Sequence, residues 1–448
     1  MDNKNTQIVP KRILSSLISS VSAGVVPRSG APYMAIGRND EIKALLDDLE
    51  RISAGEGRMR FIIGRYGSGK SFLIQLVRGY ALEKNFITSD ADLSPERRLY
   101  GTNGSGLATY RELIKNIASK SSPEGGALSK LISKWISGLR NEIFERGISE
   151  DSPSFMLELQ KSVSSALKDI EFLVGGFDFS KTVIEFYRAY MDGNDEKQSA
   201  CLRWLRGEFS TKTEAKQALG FNVSAIVNDD NWYDYIKLWA VLVRKMGYRG
   251  LVVFIDECVN LYKIPNRVSR ENNYEKILSM FNDTLQGHAE GLAIVFGGTP
   301  QFLDDTRRGL FSYEALRSRL CDSKYEIAGV KNLNNPIIRL VRLSDNELFA
   351  LLKRMTVLFN QYYESKVDVS DEQILTFLKV NLQRAGAETM ITPREMIRDF
   401  MTILNVLLQN PDVDFDTLIR GSGSEVNNDT ANAPGSEPKK ITVDDITF

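Results

Sequence analysis

A single histidine, His288, and three widely separated cysteines, Cys201, Cys258 and Cys321, are all that this 448-residue chain has of the side chains commonest in metal centres and nucleophile triads. One histidine excludes a multi-histidine metal site and leaves a His-dependent triad unsupported. Cysteines so far apart supply neither a CxxC metal pair nor a disulfide framework, so the chain reads as cytoplasmic. Long hydrophobic runs are missing as well. No stretch reaches the ~18 apolar residues of a membrane span, and the N-terminal MDNKNTQIVPKRI lacks a signal-peptide core, so neither insertion nor export is expected. The net charge of −1 removes any global basic field for nucleic acid and leaves that task to local patches. What remains is an ordinary globular composition, long enough for about two or three domains.

Against this background one stretch stands out. Arg60 to Leu73, RFIIGRYGSGKSFL, holds Gly64, Gly69, Lys70 and Ser71 in the spacing GxxxxGKS, between a strand-like run and a helix-like one. A phosphate chain needs several inward-pointing backbone amides, a cation, and a hydroxyl for Mg²⁺. Gly64, Gly67 and Gly69 let such a loop wrap phosphates, Lys70 reaches the β and γ oxygens, and Ser71 ligates Mg²⁺. Tyr66, Ser68 and Phe72 complete the surface expected to face the nucleotide, so ATP or GTP with Mg²⁺ is the expected ligand set.

The rest of the chain arranges itself around this loop. Residues 1–35 read as an N-terminal helix, Lys11 to Val26, and a linker beginning at Pro27. Residues 36–120 read as the first half of an α/β core. Asn39 or Asp40 can cap its first helix, Phe72 to Leu82 continues the loop as helix, Phe86 to Ala91 forms a strand, Leu93 to Gly106 is loop, and helix resumes at Tyr110. Residues 121–245 read as an α-helical insertion, whose aromatic-rich part from Cys201 to Asp234 is expected to pack helices. Residues 246–343 return to the core, with strands in LVVFIDE from Leu251, in LAIVFG from Leu292 to Gly297, and from Ile337 to Leu343. Strands alternating with helices predict a parallel sheet sandwiched by helices. Residues 344–420 read as a helical lid opened by a Ser344–Glu347 capping box. Residues 421–448 are poor in apolar residues and are expected to form a disordered tail.

A phosphate loop alone hydrolyses nothing, and Asp256–Glu257 at the end of LVVFI meets the further need. Asp256 would orient Mg²⁺ through its water shell, and Glu257 would act as general base on the attacking water. Thr299, just after LAIVFG, is a sensor candidate and equally suited to cap the following helix. Arg319 in SYEALRSRL is the favoured arginine finger, with Arg317 the alternative. Arg394 opens a lid helix behind Thr392–Pro393 and could reach the γ-phosphate. Lys263, Arg267 and Arg270, interleaved with Tyr262 and Tyr274, could meet a nucleic-acid backbone and stacked bases; a solvated loop and helix is the other reading.

Ile36–Gly37–Arg38, GxxxxGKS, Asp-Glu, Thr299, Arg319 and Arg394, in this order, resemble an AAA+ ATPase with its helical lid. The Gly-Arg-Asn-Asp-Glu box is similar to that of the origin-recognition branch, which implies that Ile36, Gly37 and Arg38 touch adenine. Ser318–Arg319–Leu320–Cys321 resembles the Ser-Arg-Cys arrangement of clamp-loader ATPases with a leucine interposed. A closer resemblance runs from about Ile13 to Leu408. SAGVVP, DADLSPERRLYGT, RWLRGE, GLVVFIDECVNLYKI, SRENNYEKIL, GGTPQFLDDTRRGLFSYEALRSRL and TPREMIRDF are similar to the BrxC/BrxD-type ATP-binding proteins of BREX phage-defence systems, and the chain length is nearer the compact BrxD form. The resemblance implies an ATPase in a multi-gene antiviral system, beside DNA-modifying or helicase-like partners. An ATP-dependent oligomer using a trans arginine and associated with double- or single-stranded DNA is the leading expectation. A nucleotide-gated switch or loader of the origin-recognition or transposition-regulator type is the alternative, and a signalling scaffold whose insertion senses a phage product is a third.

Overall fold

The computed structural model describes residues 8–321, 332–384 and 392–421. Helix α1 (Lys11–Ser22) buries Leu14, Leu17, Ile18 and Val21 along one face. It ends four residues before the expected Val26, because the Val25 N–H turns back to Ser20 O. After a single turn, α2 (Ala31–Met34), comes α3 (Asn39–Ser53). Neither Asn39 nor Asp40 holds the N-cap position: the residue before the helix is Arg38, at φ 64°, and its side chain makes no capping bond.

Strand β1 (Arg58–Gly64) leads through the phosphate loop to α4 (Lys70–Glu83), then β2 (Ile87–Asp92) and α5 (Ser105–Lys115). Helix α5 starts five residues earlier than expected. Its opening amides, Gly104 N–H and Leu107 N–H, donate to the Asp229 carboxylate at 2.7 and 2.8 Å. A cap supplied from more than a hundred residues away leaves no local mark in the sequence.

Six amphipathic helices follow: α6 (Leu128–Glu145), α7 (Phe155–Glu171), α8 (Gly176–Met191), α9 (Asp195–Leu205), α10 (Lys212–Leu219) and α11 (Trp232–Lys245). As expected for Cys201 to Asp234, Trp204, Phe209, Trp232 and Tyr233 are almost fully buried, as is Trp239 on α11, whereas Phe172 and Phe177 are exposed. The sheet resumes with β3 (Leu251–Asp256), followed by α12 (Val259–Tyr262), α13 (Arg267–Gln286), β4 (Leu292–Gly298), α14 (Pro300–Asp304), α15 (Glu314–Leu320) and β5 (Ile337–Leu340). Strand β5 stops at Leu340, short of the expected Leu343. The chain closes with α16 (Asp345–Tyr363), α17 (Asp371–Arg384), α18 (Pro393–Gln409) and α19 (Phe415–Gly421). The Ser344–Glu347 capping box forms as read from the sequence, and Thr392–Glu395 makes a second one at α18. The tail expected from Gly421 onward falls, from residue 422, outside the described residues.

The described strands form one parallel sheet in the order β2-β3-β4-β1-β5. Parallel strands buried on both faces need continuous apolar runs, which FII, LVVFI and LAIVF supply. One face packs on α5–α11 in a single core joining Phe61, Ile63 and Ile294 to Trp204 and Trp239. Helices α3 and α4 cover the other face through Leu45, Leu49, Leu73 and Val77. A separate core unites α16–α19 with α1, so the N-terminal helix lies among the C-terminal ones. No helix among the described residues is long and apolar enough to cross a membrane.

Candidate nucleotide-binding site

All five strands point the same way, so the loops that leave β1, β2, β3 and β4 share one edge of the sheet, where open α/β sheets bind ligands. The phosphate loop, Arg65 to Gly69, occupies this edge. Gly67 and Gly69 take φ of 74° and 88°, left-handed values that L side chains resist. A Cβ on Gly67 would also come within 2.3 Å of Thr392 Cγ2, so this glycine admits the start of α18 to the loop.

A cavity of about 250 Å³ opens between this loop and the C-terminal helices. Ile36, Arg38, Tyr66, Gly67, Ser68, Gly69, Lys70, Ser71 and Phe72 line it, together with Glu257 and Arg394. Gly64 and Gly37 do not; Gly64 ends β1 behind the loop. The cavity's apolar lining comes from Val21, Val25, Val26, Pro27, Met34, Leu343, Leu351 and Ile397.

The polar end of the cavity is short of partners within the protein. Among the described residues, Lys70 Nζ hydrogen-bonds only the Arg65 carbonyl, at 3.4 Å. Burial lowers the lysine's pKa, while Asp256 and Glu257 push it back up. Ser68 Oγ is buried against Gly64, behind the loop, with no hydrogen-bond partner among the described residues. A cation so placed beside the amides of a glycine turn fits a bound phosphate chain. Ser71 Oγ donates to Asp256 Oδ2 at 2.9 Å, pairing one hydroxyl and one carboxylate as Mg²⁺ would require. The second Asp256 oxygen accepts the Glu257 N–H at 2.8 Å. Glu257 itself sits at φ 57°, a strained conformation for a non-glycine residue and one often met at functional sites.

Sequence reasoning missed two parts of this site. The first is the apolar wall, whose members come from α1 and its exit, α2, the β5–α16 connection, α16 and α18. The second is Asp92, which pairs in register with Asp256 across β2 and β3. With Asp90, Asp256, Glu257, Gln75 and Arg28 it lines a second cavity of about 170 Å³ beyond Ser71. Burial of the Asp92 carboxyl group, and then the charges of Asp256, Glu257 and Asp90, raise its pKa, although the residue as a whole is exposed. The aspartates at alternate positions of FITSDADL were the available signal.

Other expected residues lie further off. Thr299 follows β4 beside the ends of β1 and β3, where its Oγ1 accepts the Phe302 N–H at 3.3 Å and caps α14. It does not line the cavity. Arg317 and Arg319 are exposed on α15 and also lie off the cavity; Arg319 Nη1 donates to Ala315 O at 2.7 Å. The basic and aromatic cluster after Asp256 is corrected by burial. Arg270 is buried and donates to Ile264 O, Tyr274 is fully buried with its hydroxyl on Arg308 O, and Tyr262 donates to Asp305. Lys263 and Arg267 are exposed and Tyr262 is half-buried, but with Arg270 and Tyr274 buried the five cannot form one nucleic-acid platform.

No curated protein matches the chain. The family described as BREX system ATP-binding protein BrxC/D matches residues 9–422, and the chain belongs to that family. Membership makes it an ATP-binding protein of a defence system with the other components of such a system as its partners.

Proposed function

We propose that this member of the BREX ATP-binding family hydrolyses ATP in the cavity between the phosphate loop and α16–α18. The observation that carries the reading is the convergence of Lys70, Ser71 and Glu257 on one cavity that also has an apolar lining, with Asp256 hydrogen-bonded to Ser71. Bound Mg²⁺ would offset charge on the β and γ phosphates. Ser71 and Asp256 would hold it, and Lys70 would pair with the same oxygens. Glu257 would take the proton of the attacking water on its carboxylate. Thr299, at the neighbouring strand end, would orient that water, and Arg394 would meet the γ-phosphate from the helical lid formed by residues 344–420.

Arg319, with Arg317 as its alternate, lies off its own cavity, so the finger role assigns it to a neighbouring subunit's ATP. The active form is then an oligomer, associated with DNA and with a helicase-like component. Hydrolysis measured for the parent, for Glu257→Gln and for a mixture of Arg319→Ala with Lys70→Ala tests the scheme. Unchanged turnover in Glu257→Gln removes the base, and no recovery in the mixture under subunit exchange removes the trans finger. The remoteness of α15 also favours a second reading, a nucleotide-gated switch that recruits its partner while holding ATP. Mass measured with ADP, with a slowly hydrolysed ATP analogue and with duplex DNA separates the two, a persistent monomer favouring the switch.

A further inference from the structure

Arg38 belongs to the segment expected to touch adenine, but its guanidinium is engaged elsewhere. Nη2 donates to Ser68 O in the phosphate loop at 3.1 Å and also to Val341 O, the first residue after β5 on the way to α16. Nη1 lies 3.9 Å from the buried Glu41. Burial lowers the Arg38 pKa, against the charges of Glu41 and Glu347. A charge held this far from water needs close partners to be tolerated, and here they run from the phosphate loop to Val341, which follows β5 of the same sheet and opens the connection to α16. The loop belongs to the sheet, whereas α16 belongs to the core it shares with α1 and α18. Beside Arg38, Gly37 lies so close to the α16 capping residue that a Cβ would stand 2.4 Å from Glu347 Oε1.

We infer that Arg38 is a positioning residue that couples occupancy of the phosphate loop to the orientation of α16–α18. Wrapping of the loop around phosphates moves the Ser68 carbonyl, and a guanidinium that also holds Val341 O passes this shift to the connection on which α16 pivots. The inference rests on the reading that nucleotide phosphates fill the loop, but it does not require that they be cleaved.

The test places fluorescent labels at Arg51→Cys on α3 and Lys379→Cys on α17, both exposed, in a Cys321→Ser background. The distance between them is read without nucleotide, with ADP and with a slowly hydrolysed ATP analogue. The parent should show a nucleotide-dependent shift. Arg38→Met should bind the analogue within about tenfold of the parent and lose the shift, while Arg38→Lys, which keeps a charged donor, restores part of it. A shift that persists in Arg38→Met overturns the inference, as does a parent that binds without shifting. Loss of binding in Arg38→Met by much more than about tenfold, with the nucleotide-free distance unchanged, also overturns it, because Arg38 would then contact the nucleotide itself. If Arg38→Met does not fold by circular dichroism, Arg38→Gln reads the same distances. A parent that shifts but never turns over ATP leaves the coupling standing and removes the hydrolysis reading.

Discussion

The two ends of the cavity are built by opposite rules. At the phosphate end, a continuous run from Tyr66 to Ser71 supplies most of the wall, and one strand end supplies Glu257. In the apolar lining, Val25, Val26 and Pro27 share one short stretch, but Met34, Leu343, Leu351 and Ile397 each come from a different part of the chain. A phosphate is held by directed amides and charges that a single turn can present, and such a turn demands particular residues at fixed spacing. A base is held by apolar area, which any packed side chain can provide.

Substitutions at the two ends should therefore fail in different ways. The largest effect is expected from Glu257→Gln, where loss of a general base should lower the rate of hydrolysis by about 10²–10⁴-fold while the dissociation constant for ATP stays close to that of the parent. Lys70→Ala comes next. Removing a partly buried cation from the phosphates should weaken ATP binding by about 30- to 1,000-fold in a titration, with a smaller loss for ADP. Val25→Asp probes the opposite end at a half-exposed position, where folding should be spared. It should weaken ATP and ADP alike by about tenfold, and a selective loss for ATP would break the assignment of that end to the base. Smallest is Asp92→Asn, which removes one charge from the acidic edge and should tighten ATP binding by about two- to threefold; weaker binding would instead make Asp92 a needed ligand.

How much was legible follows the same division. The cores of β1, β3 and β4 were readable because parallel strands buried on both faces demand apolar runs such as LVVFI. The two capping boxes were readable because Ser344 and Glu347, like Thr392 and Glu395, satisfy each other over three residues. The start of α5 was not, since Asp229 caps it from afar. Nor was the burial of Arg270 and Tyr274, which as a pattern on one helix read equally well as a basic and aromatic face.

The sequence by itself determined that a phosphate-binding turn sits between a buried strand and a helix, that an Asp-Glu pair ends another strand, and that the chain resembles BREX ATP-binding proteins. These are local or patterned properties, fixed by φ preferences, hydrogen-bond geometry and periodicity. Tertiary structure alone decided that α1 joins the C-terminal helices, that its exit walls the cavity, and that Arg38 spans the phosphate loop and the β5–α16 connection. It alone decided, too, that α15 lies away from its own nucleotide site. Those arrangements depend on which apolar faces find one another across hundreds of residues, and burial area carries no address in the chain.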